Sequence, residues 1–185
     1  IHVGHLLIAE EARQRLQLEE VVFVPTGQPW MKARRPLSPA FHRLNMVRLA
    51  VASNPFFQAS SIEIDRPGPS YTVDTLRAMH EEMGDETELF FILGLDSLEA
   101  FPQWHQPGDI LKLCTLVAMA RPGHGGFDPA ILDREVGPGA AGRVLILDGP
   151  LFDVSGTDIR RRVAEGLSIR YRVPDEVERY IASHG

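Results

Sequence analysis

The sequence predicts an α/β fold of the doubly wound type, in which a parallel β-sheet and its helices form three layers. One observation behind this is a set of short, almost purely apolar runs, which suit strands buried on both faces of a parallel sheet. The other is that helical patterns alternate with these runs, as βαβ units require. The four apolar runs span residues 21–24, 89–93, 116–119 and 144–147, and a fifth, more mixed candidate spans 57–64.

The helices are predicted from their apolar spacing and their end signals. Ser38 as N-cap and Pro39 as the first helical residue open a second helix, and Pro174 opens the last one. A third helix is expected over 73–83, and the Gly- and Pro-rich stretch 121–142 should be an excursion or a short helix between two strands. The first helix shows one apolar face, formed by Leu6, Ala9, Ala12 and Leu16.

Composition limits the class of protein. The 185 residues suffice for one domain, which we predict to span residues 1–185. The formal net charge of -6 argues against broad binding to nucleic acid or to a membrane surface. Cys114 is the only cysteine, so no intramolecular disulfide is expected and a reducing, cytoplasmic setting is predicted. No stretch approaches the roughly 18 to 20 apolar residues that a membrane helix needs.

Two histidines lie three residues apart at the start of the first helix, with Gly4 between them. A helix N-terminus favours an anion through its N–H groups and dipole, and Gly4 lets a phosphate approach the backbone closely. His2 and His5 can donate hydrogen bonds and, when protonated, supply a charge. The pattern indicates a triphosphate site. The residues alone leave open two ordinary surface histidines, while a zinc pair would lack a third ligand nearby.

A second polar motif, Ser155-Gly156-Thr157-Asp158-Ile159-Arg160, follows the last apolar run. Ser155 or Thr157 can cap a helix, and hydroxyls beside free N–H groups suit a phosphate. Arg160 adds a guanidinium, which can grip a phosphate with two hydrogen bonds. The motif therefore suits phosphate binding, and an ordinary capped helix with a solvated basic face is its alternative. Phosphate loops of the GxxxxGK[ST] and GxGxxG types are absent from the sequence.

Together, His2-x-Gly4-His5 and Ser155-x-Thr157-x-x-Arg160 resemble the paired HxGH and SxTxxR motifs of the adenylyltransferase superfamily. The sequence between them resembles the bacterial nicotinate-nucleotide adenylyltransferases, in order and over nearly the whole chain. The resemblance implies a Rossmann-like fold of the adenylyltransferase type. The segments that carry it are 22–25, 27–32, 54–57, 66–72, 74–76, 94–98, 104–105, 121–123 and 171–174.

Two features depart from the pattern of this family. The family begins with a strand and a Gly-Gly-Thr-Phe-Asp-Pro loop before the first histidine. We expect that strand, and with it part of the ATP phosphate cradle, to be missing from this chain. Gly156 stands where the family usually has Ser, which removes a hydroxyl donor but keeps the backbone N–H.

The resemblance implies transfer of the adenylyl group of ATP to nicotinate mononucleotide, with release of pyrophosphate, in NAD biosynthesis. The nucleophile would be the phosphate of the mononucleotide, so alignment and charge neutralisation would account for catalysis. The expected catalytic residues are His2, His5 and Arg160. The residues expected to bind ATP are Gly4, Lys32, Gly94, Asp96, Ser155, Thr157 and Arg160.

For nicotinate mononucleotide, the resemblance implies a site that contains Tyr71, Thr72, Trp104, His105 and Arg121. Trp104 would stack on the pyridine ring, and the backbone at Thr72 and near His105 would meet its carboxylate. Magnesium is the expected cofactor, carried by the ATP phosphates with several waters, so no protein metal ligand is predicted. The expected partners are ATP and the mononucleotide, without nucleic acid or membrane, and the sequence leaves homo-oligomerisation open.

Several alternatives stay open at this stage. Asp96 could instead cap a helix that begins at Ser97, Trp104 could anchor the core, and Arg121 could be a strand-end charge. The acceptor could be nicotinamide mononucleotide or phosphopantetheine. The chain could also be a fragment of a class I aminoacyl-tRNA synthetase, or a module that binds nucleotides without catalysis.

Overall fold

The structure is a computed structural model that describes residues 1–30, 37–84, 86–120, 126–150 and 153–184. The chain divides into two compact units. The first unit contains Ile1–Gly68 and Phe152–Gly185, and the second contains Pro69–Leu151. Within the described ranges, no helix combines the length and the apolar character needed to cross a membrane.

The first unit contains a small parallel sheet and five α-helices among its described residues. Its two strands pair in parallel, with Val21 opposite Phe57 and Phe23 opposite Ala59. Elements are numbered along the whole chain, so α4 to α7 belong to the second unit. Those of the first unit are α1 (Val3–Leu16), β1 (Val21–Phe23), α2 (Ala40–Val51), β2 (Phe57–Ala59), α3 (Ile62–Asp65), α8 (Gly156–Ala164) and α9 (Asp175–His184).

Two apolar clusters form the core of the first unit. One joins α1, α2 and β2 through Ala9, Val47 and Phe57. The other joins α2, α8 and α9 through buried residues that include Ala50, Ile159 and Val177. The apolar face predicted for the first helix is therefore confirmed, with Ala9 and Ala12 buried and Leu6 and Leu16 half-buried.

The second unit is built on a parallel sheet of three strands in the order β3-β4-β5. The central strand is the most buried, and it lies in a cluster with Val73, Leu98, Phe101 and Ile110. The described elements are α4 (Thr72–Met83), β3 (Phe90–Gly94), α5 (Leu95–Glu99), α6 (Pro107–Leu113), β4 (Thr115–Ala120), α7 (Ala130–Glu135) and β5 (Val144–Asp148). The helix α7 lies in the Gly- and Pro-rich stretch, as predicted.

The structure differs from the sequence-based prediction in several strands. The described strands form two parallel sheets instead of one. Burial on both faces holds for β4 but not for β5, where Leu145 and Ile146 are 37% and 38% exposed. Among the described residues β5 pairs only with β4 and lies at the edge of its sheet, where less of the unit packs on its two faces than on those of the central strand.

The mixed candidate 57–64 is a strand only over its first residues. The strand β2 ends at Ala59, and Ile62 and Ile64 belong to the helical turn α3. Serines break the strand, because the Ser60 hydroxyl accepts the N–H of Ile62 and the Ser61 carbonyl accepts the N–H of Ile64. The start of α2 is also shifted by one residue, since Pro39 is the N-cap and Ala40 the first helical residue.

Candidate active site

His2 and His5 form one structural unit at the start of α1. His2 is the N-cap residue in extended conformation, and His5 lies in the first turn. Their rings stack, with centroids 3.7 Å apart and planes inclined by 21°. His2 is only 8% exposed, so the alternative of two ordinary surface histidines is wrong for this residue.

A backbone hydrogen bond fixes the tautomer of His5. The backbone N–H of His2 donates to Nδ1 of His5 over 3.3 Å. A neutral imidazole that accepts at Nδ1 carries its proton on Nε2. His5 therefore presents an N–H donor on the far side of its ring, although the residue itself is exposed to solvent. Nδ1 of His2 is buried and has no hydrogen-bond partner among the described residues.

Both imidazoles are neutral at pH 7 in the free protein. Burial, and next the neighbouring His5 ring, lowers the pKa of His2 from 6.5 to about 3. Burial lowers the pKa of His5 as well, because the face of its ring that stacks on His2 is shielded from water even though the residue is exposed elsewhere. The histidines therefore act first as hydrogen-bond donors, and a bound anion would raise their pKa values.

The first turn of α1 has already used part of its hydrogen-bonding capacity. The Val3 N–H donates to the carbonyl of Arg172, and the His5 N–H donates to the carbonyl of His2, each over 3.0 Å. The N–H of Gly4 has no acceptor within the described ranges. Gly4 is also buried. Because the other two amides of this turn are already paired, the Gly4 N–H is the one that remains to donate a hydrogen bond to an anion.

The start of α8 has the geometry that its sequence predicted. Ser155 is the N-cap, and its Oγ accepts the N–H of Asp158 over 3.1 Å. Arg160 turns back toward the helix start, where its Nη2 donates to Oγ1 of Thr157 over 3.2 Å. A Cβ at Gly156 would lie 3.3 Å from Nη1 of Arg160, so the glycine leaves room for the guanidinium. Hydroxyls, a helix N-terminus and an exposed guanidinium therefore meet here.

Arg172 joins the starts of α1 and α8, a role that its place in the sequence does not indicate. Its carbonyl accepts the N–H of Val3, and its Nη1 lies 3.1 Å from Oδ2 of Asp158. Ile1 and Leu6 also pack against the cluster that contains Ile159. The HxGH and SxTxxR motifs, far apart in the sequence, thus meet within the first unit.

In the second unit, Thr72 is the first residue of α4 and Tyr71 its N-cap. The Thr72 N–H has no acceptor in the part of the chain that the structure describes. The Tyr71 ring stacks on His105, with centroids 4.1 Å apart. These predicted acceptor-site residues therefore lie together beside an amide that could bind a carboxylate.

Trp104 is half-buried and packs against the core of the second unit. Its ring meets Phe91 edge-on at 5.8 Å and lies 5.5 Å from the ring of Phe101. The core-anchor alternative therefore describes part of its role, and stacking on a ligand would use the part of the ring that remains exposed.

Gly94 and Asp96 lie at the carboxyl end of β3. A Cβ at Gly94 would come within 2.6 Å of Oδ1 of Asp96, so the carboxylate lies against the glycine. The helix α5 begins at Leu95 with Gly94 as its N-cap, so Asp96 does not cap a helix that begins at Ser97. Asp96 is exposed at the strand end, where ligands bind in open α/β sheets.

Two predicted site residues, Lys32 and Arg121, lie outside the described residues. Among the residues that are described, no group of three or more His, Cys, Asp or Glu side chains could hold a metal ion. The described candidates thus offer hydrogen-bond donors and positive charge for phosphates, together with aromatic rings and a backbone amide for an aromatic acid.

The lowered pKa of His2 predicts a loss of stability in acid. Below about pH 6.5 His2 is protonated in the unfolded chain, whereas in the folded protein it stays neutral until about pH 3. The contribution of His2 to the free energy of unfolding is therefore fully present above pH 6.5 and decreases as the pH falls below that value. Between pH 7.5 and 5.5 this group should lower the free energy of unfolding by about 1 kcal/mol. Urea unfolding at both pH values should show a smaller loss for His2→Gln, and equal losses would contradict the prediction.

Comparison with known proteins identifies the family. The profile of the cytidylyltransferase-like family matches residues 1–162. A protein of Dehalococcoides mccartyi named "Probable nicotinate-nucleotide adenylyltransferase" is 46% identical over 185 residues, which are 100% of this chain and 90% of the relative. A protein of Roseiflexus sp. with the same name is 48% identical over 185 residues, which are 100% of this chain and 91% of the relative.

A solved structure has the same fold. The chain matches the Plasmodium falciparum nicotinic acid mononucleotide adenylyltransferase complexed with NaAD with a TM-score of 0.77 and 16% identity, over 100% of this chain and 90% of that one. This likeness confirms the predicted Rossmann-like α/β fold. The family profile and the relatives exclude the synthetase fragment, and they show that the chain belongs to the cytidylyltransferase-like family and, within it, to the nicotinate-nucleotide adenylyltransferases.

Proposed function

We propose that this protein transfers the adenylyl group of ATP to nicotinate mononucleotide, giving nicotinate adenine dinucleotide and pyrophosphate in NAD biosynthesis. The observation that carries the proposal is the meeting of the His2–His5 pair with the Ser155–Arg160 helix start, in a chain whose relatives bear this enzyme's name. The prediction of a single domain over residues 1–185 is part of this proposal.

The reaction needs no protein nucleophile. A phosphate oxygen of the mononucleotide attacks the α-phosphorus of ATP, the bond to the bridging oxygen of the β-phosphate breaks, and pyrophosphate leaves with the electron pair. The attacking oxygen is already anionic at neutral pH, so no strong base is required. Catalysis then depends on alignment and on donors that meet the charge developing on the phosphates.

The first unit supplies these donors. His5 offers Nε2–H to a phosphate oxygen, and His2 fixes the His5 ring by stacking and by its backbone N–H. Gly4 offers a backbone amide at the same helix start. Ser155, Thr157 and Arg160 hold the β- and γ-phosphates at the start of α8, and Lys32 adds a further positive charge.

The second unit supplies groups that suit the sugar and the pyridine. The Asp96 carboxylate accepts hydrogen bonds from a ribose, with Gly94 leaving it room. The Thr72 amide, together with the backbone near His105, binds the pyridine carboxylate. Tyr71 shapes that pocket by stacking on His105, and Trp104 stacks on the pyridine ring. Arg121 pairs with the phosphate of the mononucleotide.

Magnesium is compatible with these residues if it is bound to the phosphates of the substrate and not to protein side chains. The groups assigned to the phosphates are two imidazoles, a backbone amide, two hydroxyls, a guanidinium and a lysine ammonium, which do not form the carboxylate cage of a protein-held magnesium ion. The ion would reach the site on phosphate oxygens with waters, and when bound it neutralises phosphate charge. We also place the enzyme in the cytoplasm, as its single, buried cysteine suits a reducing compartment.

Pyrophosphate release tests the proposal. With ATP held constant, we expect turnover on nicotinate mononucleotide to exceed turnover on nicotinamide mononucleotide and on phosphopantetheine. Equal rates on all three acceptors would contradict the choice of substrate. Calorimetry that detects ATP binding without any pyrophosphate release would instead indicate a nucleotide-binding module.

A further inference from the structure

A tight turn over residues 169–173 connects α8 to α9 and is held in one conformation. The Arg172 N–H donates to the carbonyl of Ile169 over 3.0 Å. Ile169 and Val173 are buried and pack in the same apolar cluster as α8. Tyr171, between them, has a φ of 62°, a left-handed conformation that a bulky residue keeps only where the surrounding structure fixes it. The turn therefore gives Arg172 a defined place in the first unit.

From this place Arg172 contacts two different helix starts, one with its backbone and one with its side chain. Its carbonyl accepts the N–H of Val3, the first residue of α1, over 3.0 Å. Its Nη1 lies 3.1 Å from Oδ2 of Asp158, in the first turn of α8. The Asp158 N–H donates in turn to Oγ of Ser155, the N-cap of that helix. One residue thus links both helix starts to which the phosphate donors belong.

The link engages groups next to the phosphate donors and leaves the donors themselves available. Arg172 takes up the Val3 amide, while the adjacent Gly4 amide has no acceptor within the described ranges. The Asp158 carboxylate pairs with Arg172, whereas Arg160 forms no ion pair in the part of the chain that the structure describes. One anion can use both sets of donors only if the two helix starts keep a fixed spacing. The contacts of Arg172 are placed to maintain that spacing.

Asp158 has two arginine partners, but only one of them can fix α8 to the rest of the unit. The hydrogen bond from Arg161, and to a smaller extent the charges of Arg161 and Arg172, lower the pKa of Asp158, so this carboxylate is ionised at pH 7. Arg161 lies on α8 itself, so its pair with Asp158 stays within the helix. Arg172 lies outside α8, and both side chains of its pair are about two-thirds shielded from solvent.

We propose that Arg172 is a positioning residue for ATP, which sets the spacing of the α1 and α8 starts through Val3 and Asp158. The role rests on the proposed function, in which both helix starts hold the triphosphate. A general charge effect makes a different prediction, because removing the negative charge of Asp158 would then strengthen the binding of a polyanion. Positioning predicts weaker binding after either change, since Arg172 and Asp158 form one link.

The test is a double-mutant cycle of Arg172→Leu and Asp158→Asn, with Arg170→Leu as the matched control. Arg170 is exposed in the same turn and forms no ion pair among the described residues, so its variant removes an equal charge without breaking the link. We expect each variant of the cycle to raise KM for ATP about fivefold with kcat within about twofold. The double variant should raise KM no further, because residues that act through one another are not additive. Arg170→Leu should leave both constants unchanged.

A second readout needs no turnover. Calorimetry with inorganic tripolyphosphate should give a Kd about fivefold higher for Arg172→Leu and for Asp158→Asn than for the wild type and Arg170→Leu. Thermal midpoints should stay within about 4 °C, since an ion pair of this kind contributes about 0 to 1 kcal/mol. Tighter binding by Asp158→Asn, additive losses in the double variant, or an equal loss in Arg170→Leu would each overturn the proposal. If the wild type releases no pyrophosphate, the proposed function fails, and the calorimetry still tests Arg172.

Discussion

His5→Ala is expected to lower kcat about a hundredfold or more while the protein stays folded. The reason is that the variant removes the Nε2–H donor. This donor accelerates the reaction because it stabilises the negative charge that develops on the phosphates only in the transition state. Steady-state pyrophosphate release measures the effect. A variant with near-normal turnover would remove His5 from the mechanism.

A structural effect of this substitution can be separated from the chemical one. The His5 ring also accepts the N–H of His2, so alanine removes a hydrogen bond at the helix start as well as the donor. His5→Gln is the matched control, because a glutamine at this position can reach back to the same N–H. We expect the two variants to lose similar activity while His5→Gln retains more stability. Restored turnover in His5→Gln would show that His5 matters only for the helix start.

Arg160→Ala is expected to lower kcat/KM for ATP about a hundredfold, because a charge-assisted hydrogen bond to an anion is worth roughly 1.5 to 3 kcal/mol. Arg160 is exposed at the start of α8 and contacts Thr157 Oγ1, so little else should change on its removal. Circular dichroism and a thermal melt should match those of the wild type. A kcat/KM within a few-fold of the wild type would exclude Arg160 from the triphosphate site.

The neighbouring arginine provides the control for charge. Arg161 forms ion pairs with Asp158 at 2.6 Å and Glu165 at 2.7 Å, on the same exposed helix. Such surface pairs contribute about 0 to 1 kcal/mol, so Arg161→Ala should alter stability slightly and kcat/KM by less than about threefold. Equal losses of kcat/KM in Arg160→Ala and Arg161→Ala would indicate that ATP responds to the overall positive charge of this helix and not to a specific contact with Arg160.

The fold was predictable where local patterns decide the structure. Helix α1 and strand β4 lie where apolar spacing and an apolar run place them. The exposure of Ile146 was not predictable, since it depends on which strand ends up at the edge of a sheet. The turn at Ile62 depends on two serine hydrogen bonds that outweigh a strand-like alternation.

The candidate site shows the same division. His5 and Arg160 could be selected as candidate site residues from the sequence, because each belongs to a short motif. The role of Arg172 could not be inferred in this way, because its carbonyl accepts the N–H of Val3 from the other end of the chain, and a residue of any type supplies a carbonyl. Its ion pair with Asp158 likewise depends on how the folded chain brings the two side chains together.

The close approach of Gly94 to Asp96 restricts how this protein can change over evolutionary time. A methyl group at Gly94 would collide with the Asp96 carboxylate, which lies within 2.6 Å of its place. Because Oδ1 is the far end of an exposed side chain, alanine at this position would turn the Asp96 carboxylate away from its present place without disrupting the strand. The two positions are therefore coupled, since a change at Gly94 alters where the carboxylate at the strand end can lie.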